Sequence, residues 1–142
     1  MNIELLESSF GQLKNREAEF SAYFYTNLLT DYPEVQPLFA NTHMKEQQHK
    51  LFQSLVLVVD NLRKPNVLTS ELKGLGTRHV KYGVLPEHYP MVGGTLLKVF
   101  SICLKEAWTL NTELAWIEAY GAIAQLMLDG AEYPPEILNP HN

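Results

Sequence analysis

The sequence predicts an all-α fold of about seven helices in one domain. Three observations carry this. Apolar residues recur every three or four positions through nearly the whole chain, the spacing of one helix face. Polar or proline-bearing stretches, "TDYPEV", "ANTHMKEQ", "KYGVLPEH" and "TLNTEL", break that pattern into helix-sized pieces. No hairpin signal, internal repeat or low-complexity tract is present. A chain of 142 residues suits one domain and can bury most of the surface its unfolded form exposes.

Each element follows from its own residues. Ile3, Leu6, Phe10 and Leu13 give the first segment one apolar face, weakened only slightly by Gly11. A second helix is expected from about Arg16 to Leu29. Phe20, Phe24 and Leu28 recur along it, with Tyr25 and Leu29 beside them. "TDYPEV" stops that helix and starts a short one, with Pro33 near its first turn and Glu34 beside its positive end. Val35, Leu38 and Phe39 form the apolar side of the short helix. From about Met44, a stripe of Leu51, Leu55, Val58, Val59 and Leu62 runs to Pro65, which ends it.

Leu68, Leu72, Leu75 and His79 then share a face. Gly74 and Gly76 make this a weak helix, held by packing rather than propensity. Pro86 opens the next helix, where Tyr89, Val92, Leu96, Phe100 and Cys103 align. The last helix is expected from about Thr112 to Leu128. Leu114, Ile117, Gly121, Ala124 and Leu128 line one side, and Trp116, Tyr120, Ile123 and Met127 widen the stripe. Residues 131–142 hold three prolines and cannot continue a helix. They are expected as a proline-rich tail, loosely packed or disordered, beyond a folded domain of residues 1–130.

Composition narrows the function. The net charge is −5, and no basic run is visible, so nucleic acid is a poor partner. The single cysteine, Cys103, cannot form an internal disulfide and reads as a small buried residue. "MNIELLESSF" carries two glutamates and no basic stretch, unlike a secretory signal. The longest apolar run, "LVLVV" at 55–59, is far too short to span a membrane. A cytoplasmic protein with no membrane partner is expected.

His79 is the sharpest feature, because its position aims an ionisable ring where three leucines point. Taken alone, it reads as a core histidine bonded to a backbone carbonyl. The functional reading is an axial metal ligand, since neutral imidazole is the commonest metal-binding side chain. Glu46 and His49 form a Glu-x-x-His pair, the spacing of di-iron bundles. Those bundles need two such pairs and two more glutamates, so a solvated face accounts better for this one. Gln47 lies one turn before Leu51, and Tyr25 borders the inward face of its helix. Together they offer two hydrogen-bond donors near a buried ligand. His43, His88 and His141 are assigned to solvent. No phosphate loop, His-Glu-x-x-His, Cys-x-x-Cys or nucleophile elbow is present.

Several stretches resemble the globins, and most closely bacterial single-domain globins and the haem domains of flavohaemoglobins. "FYTNLLTDYPEVQPLF" (24–39) is similar to the family's helix, proline turn and phenylalanine. "QQHKLF" (47–52) is similar to the start of its distal helix. "RHVKYGVLPEHYPMVGGTLL" (78–97) is similar to its proximal histidine and the helix after it, and "AWIEAYGAIAQLM" (115–127) to its last helix. The resemblance spans about residues 3 to 130.

The resemblance implies a globin fold around haem b, iron protoporphyrin IX. His79 would be the proximal iron ligand and Phe39 the phenylalanine stacked on the haem. Tyr25 would be the distal tyrosine, Gln47 the distal glutamine, and Leu51 the apolar residue beside bound ligand. Lys50 and Arg78 would meet haem propionates, and Tyr89 matches a proximal-side tyrosine. Bound oxygen carries partial superoxide character, which a hydroxyl and an amide donor would stabilise in a water-poor pocket. Slow oxygen release follows. The ligands implied are O2, CO and NO, held by a monomer or weak homodimer.

Two departures qualify the resemblance. Flavohaemoglobins continue into a flavin and nicotinamide reductase domain, whereas this sequence ends at Asn142, so turnover would need a separate reductase. Their proximal glutamate falls here on Ala131, with Glu132 one residue later. One residue turns a helical side chain by about 100 degrees, so the proximal carboxylate network is not expected to form as it does in the family. The resemblance therefore implies high-affinity O2 binding for transport or scavenging, with conversion of nitric oxide to nitrate as the alternative. A gas or redox sensor is a third reading, which needs a separate output partner. A fourth has Tyr25, His43 or His49 binding the iron when no gas is present.

Overall fold

The computed structural model describes residues 1–138, so the reading of His141 lies outside the described residues. Seven α-helices and two 3-10 turns make up the described chain, with no strand among the described residues. Helix α1 (Ile3–Gly11) starts where the Asn2 side chain accepts the Leu5 N–H at 3.2 Å, an N-cap that satisfies one of the free amides of the first turn. It buries Leu6, Ser9 and Phe10; Leu13 lies beyond the helix end and is still fully buried. Helix α2 (Glu17–Asp31) buries Phe20, Phe24, Tyr25 and Leu28, the expected face. A 3-10 turn, Pro33–Phe39, follows with Pro33 in its first turn.

Helix α3 (Met44–Asp60) stops five residues before Pro65, when the Asn61 N–H turns back onto Val58 and Val59. Pro65 therefore opens α4 (Pro65–Lys81) rather than closing α3. Its fixed φ and missing N–H suit a first helical turn, where that amide has no partner in any case. Helix α5 (His88–Leu104) begins two residues after Pro86. A short 3-10 turn, Lys105–Ala107, leads to α6 (Leu110–Ala131), capped by Thr109, whose hydroxyl accepts the Thr112 N–H at 3.2 Å. Helix α7 is a single turn, Pro135–Leu138.

The face of α6 differs from expectation. Thr112, Ala115, Trp116, Ala119 and Met127 are buried, while Leu114 and Ile117 stay 53% and 48% exposed. The indole decides this. Trp116 stacks 4.4 Å from Phe100, and its Nε1 donates to Ser9 Oγ at 2.9 Å in the core. A buried indole carries a large apolar area and a donor that must be satisfied, so it outweighs smaller side chains in setting the face.

In the described part of the tail, residues 131–138, one residue is held more tightly than expected, while residues 134–138 stay exposed. Tyr133 is buried, and its hydroxyl donates to the Val84 carbonyl. An aromatic ring placed just past the helix end gives this segment something to bury in spite of its prolines.

The core is an aromatic chain. Phe10 meets Phe52 at 5.2 Å, Phe20 meets Phe100 at 5.2 Å, and Phe100 meets Trp116. It ties α1, α2, α3, α5 and α6 together. Helix α4 stands apart from that chain and lies along α6. Gly76 allows this: a Cβ there would sit 1.9 Å from the Met127 carbonyl oxygen. The consecutive helices α3 and α4 do not pack closely on each other, because α3 lies on α1 and α2 while α4 lies on α6. No helix among the described residues is long and apolar enough to cross a membrane.

Candidate functional site

His79 stands in the last turn of α4, half-buried. Its Nδ1 lies 2.8 Å from the Leu75 carbonyl oxygen, one turn back. A carbonyl only accepts, so Nδ1 carries the proton and Nε2 keeps a free lone pair. Burial pushes the imidazole pKa below 6.5, the Leu75 bond opposes that, and the Arg78 charge adds to it. The ring is therefore neutral at pH 7, the form that binds metals.

Tyr25 and Gln47 come from different helices. Tyr25 is buried on α2, fixed edge-on by Phe24 at 4.9 Å and Phe39 at 5.5 Å. Gln47 occupies the first turn of α3, and its Nε2 donates to the Tyr25 hydroxyl at 3.0 Å. Burial raises the phenol pKa to about 12, with the Gln47 bond lowering it only in part. The hydroxyl oxygen accepts from the amide and keeps its own proton to give.

The other named residues divide. Phe39 and Leu51 are half-buried, and Phe39 touches Tyr25. Lys50 and Arg78 are exposed, and neither forms an ion pair among the described residues. Tyr89 is buried in the first turn of α5. Its carbonyl accepts the Tyr120 hydroxyl at 2.6 Å, yet its own hydroxyl meets no partner among the described residues. Burial, with Tyr133 nearby, raises its pKa to about 12.

Ala131 ends α6, and Glu132 turns out in the left-handed region at φ 54°, exposed. Among the described residues, no carboxylate bonds the Tyr89 hydroxyl. His49 pairs with Glu17, 3.1 Å away at the surface, as a solvated face would. His43 is exposed at the start of α3. His88 departs from its solvent assignment: its Nδ1 accepts the Leu85 N–H at 2.9 Å and pins the turn before α5. Tyr120 and Tyr133 were not foreseen as site residues. An aromatic standing in the proline-rich "EYPP" was the available hint for Tyr133.

The globin family profile matches residues 22–127. The chain belongs to the globin family. It is 29% identical over 136 residues to a flavohemoprotein of Vibrio cholerae, covering 93% of this chain and 34% of that protein. This globin thus spans about a third of the length of the flavohemoproteins it matches. A bacterial globin of Campylobacter jejuni shares its fold at a TM-score of 0.79 with 29% identity, over 92% of this chain and 94% of that one. An engineered carbene transferase, derived from a Rhodothermus marinus protein proposed to be a nitric oxide dioxygenase, reaches a TM-score of 0.81 with 27% identity. That match covers 91% of this chain and 89% of the other.

Membership implies a haem group, and the residues present fit one. His79 offers a neutral nitrogen with its tautomer already set by Leu75. Tyr89 holds a buried hydroxyl with no partner among the described residues, which leaves it free to meet a bound group. The consecutive helices α3 and α4, carrying Gln47 and His79, stand apart.

Proposed function

We propose that this globin binds haem b through His79 Nε2 and holds dioxygen reversibly, with high affinity, beside Tyr25 and Gln47. Phe39 and Leu51 would flank the group with apolar surface, and Lys50 and Arg78 would meet its propionates at the solvent edge. When bound, the haem would supply an iron able to take a diatomic ligand, with His79 holding it.

The protein does the rest. Leu75 holds the His79 ring by Nδ1, so Nε2 faces its ligand without a tautomer change. Gln47 donates to the Tyr25 oxygen and thereby orients the phenol, leaving one proton for a partly anionic ligand. Phe24 and Phe39 wall the phenol against water. Few competing water contacts strengthen that donor.

The observation that carries this reading is the 3.0 Å bond between Gln47 and Tyr25, which assembles a distal donor pair from two helices. Oxygen dissociation measured by stopped flow tests it. Tyr25→Phe should speed release by about tenfold to a hundredfold, the worth of a hydrogen bond to a charged acceptor. Carbon monoxide, which develops little charge, should respond far less. Equal oxygen release in both proteins would defeat the argument.

A second reading draws on the flavohemoprotein relatives and the Rhodothermus protein. Nitric oxide and dioxygen, with one electron per turnover from a separate reductase, would give nitrate. Tight oxygen retention by Tyr25 suits this equally. Nitrate produced in proportion to reductase-supplied electrons supports it; consumption of only one nitric oxide per haem leaves the binding role.

A further inference from the structure

Two segments far apart in sequence meet behind His79. The turn after α4 is poorly covered: Val80, Tyr82 and Leu85 are exposed. A helix end with so little packing frays easily, because its last carbonyls have no intrahelical partner. Here those of His79 and Val80 are satisfied. The His79 carbonyl accepts the N–H groups of both Tyr82 and Val84, each at 3.1 Å. The Val84 carbonyl in turn accepts the Tyr133 hydroxyl. Thr77 Oγ1 donates to the Gly130 carbonyl at 2.8 Å and docks the same helix end on α6.

Tyr133 is well placed for this. Glu132 turns the chain at φ 54° as α6 ends, and the Tyr133 ring that follows is only 8% exposed. A continuous run of hydrogen bonds links the segment after α6, the 82–84 turn and the backbone of His79. The imidazole is meanwhile held from the other direction by Leu75.

We infer that Tyr133 is a positioning residue for His79: its hydroxyl clamps the 82–84 turn, which holds the histidine backbone at the helix end. This rests on the haem reading above, in which His79 is the iron ligand. In place of a carboxylate acting on the imidazole edge, this chain steadies the ligand through its main chain. Displacement of the segment beyond α6 then reaches the iron ligand through two hydrogen bonds.

Amide exchange of the whole chain, with and without haem, is the test, alongside the iron–imidazole stretching band of the ferrous protein. Tyr133→Phe keeps the ring and removes the clamp. The Tyr82 and Val84 amides should then exchange about fivefold to tenfold faster, the loss expected for one buried hydrogen bond. Core amides such as those of Phe20 and Leu28 should be unaffected. The stretching band should broaden and move to lower frequency. Tyr23→Phe, which removes an exposed hydroxyl on α2 away from this turn, should leave both readouts as they are. Unchanged exchange at Tyr82 and Val84, acceleration spread equally through α2, or an unmoved band would each overturn the clamp. Failure of the unaltered protein to show any haem band would overturn the haem reading itself, and the exchange of the haem-free chain distinguishes that case.

Discussion

His79 and Tyr25 show how a single side chain acquires a role from its surroundings. His79 is neutral because burial pushes its pKa below 6.5, although the Nδ1–H bond to the Leu75 carbonyl favours the charged ring. Tyr25 stays protonated because burial makes the phenolate costly, which raises its pKa from 10.0 to about 12. For a group raised in the folded state, the sign is fixed: its contribution is complete below pH 10 and is lost as pH rises through about 12. Two outcomes follow. Oxygen release should be flat between about pH 7 and pH 9, because the donor proton is present throughout that range. Stability, followed by far-ultraviolet dichroism, should decline only above pH 10, and the decline should shrink in Tyr25→Phe. A release rate that titrates near neutrality would show that some other group supplies the proton. The inward aim of His79 was legible in the sequence from its place behind Leu68, Leu72 and Leu75. The partner of Tyr25 was legible only as a neighbourly coincidence, since Gln47 lies 22 residues away on another helix.

At the scale of the element, the glycines of α4 have opposite meanings. Both read in the sequence as weak points of one helix. In the structure, a Cβ at Gly76 would lie 1.9 Å from the Met127 carbonyl oxygen, a backbone atom that cannot step aside. A Cβ at Gly74 would meet only the flexible end of Arg78, at 3.5 Å. Gly76→Ala should therefore destabilise the protein by about 1–3 kcal/mol or more. Gly74→Ala should stabilise it by up to about 1 kcal/mol through helix propensity. Urea unfolding of the two variants measures the contrast, and similar values would show that α4 does not depend on close contact with α6. Period and spacing predicted α6, but not which way it faces. Counting aliphatic side chains favoured Leu114 and Ile117, while the indole of Trp116, with its partner Ser9, turned them outward.

For the whole molecule, the aromatic chain from Phe10 to Trp116 is the scaffold that ties α1, α2, α3, α5 and α6 together. Phe100 contacts Phe20, Trp108 and Trp116 and is fully buried. Phe100→Ala should cost about 3–5 kcal/mol, measured by urea unfolding, as large core deletions do. A loss below about 1 kcal/mol would place the structural centre elsewhere. Helix α3 packs on this scaffold through α1 and α2, while α4 packs on α6.

The helical class, the order of the long helices and the inward aim of His79 are already present in the sequence. These depend on periodicity and residue type, which are local properties of a chain. Tertiary structure decided the Tyr25–Gln47 bond, the tautomer of His79, the face of α6, the need for glycine at Gly76 and the clamp from Tyr133. Each of these depends on atoms brought together from distant positions. A tyrosine in a proline-rich tail has no partner until folding places the Val84 carbonyl beside it, and no local pattern records that distance.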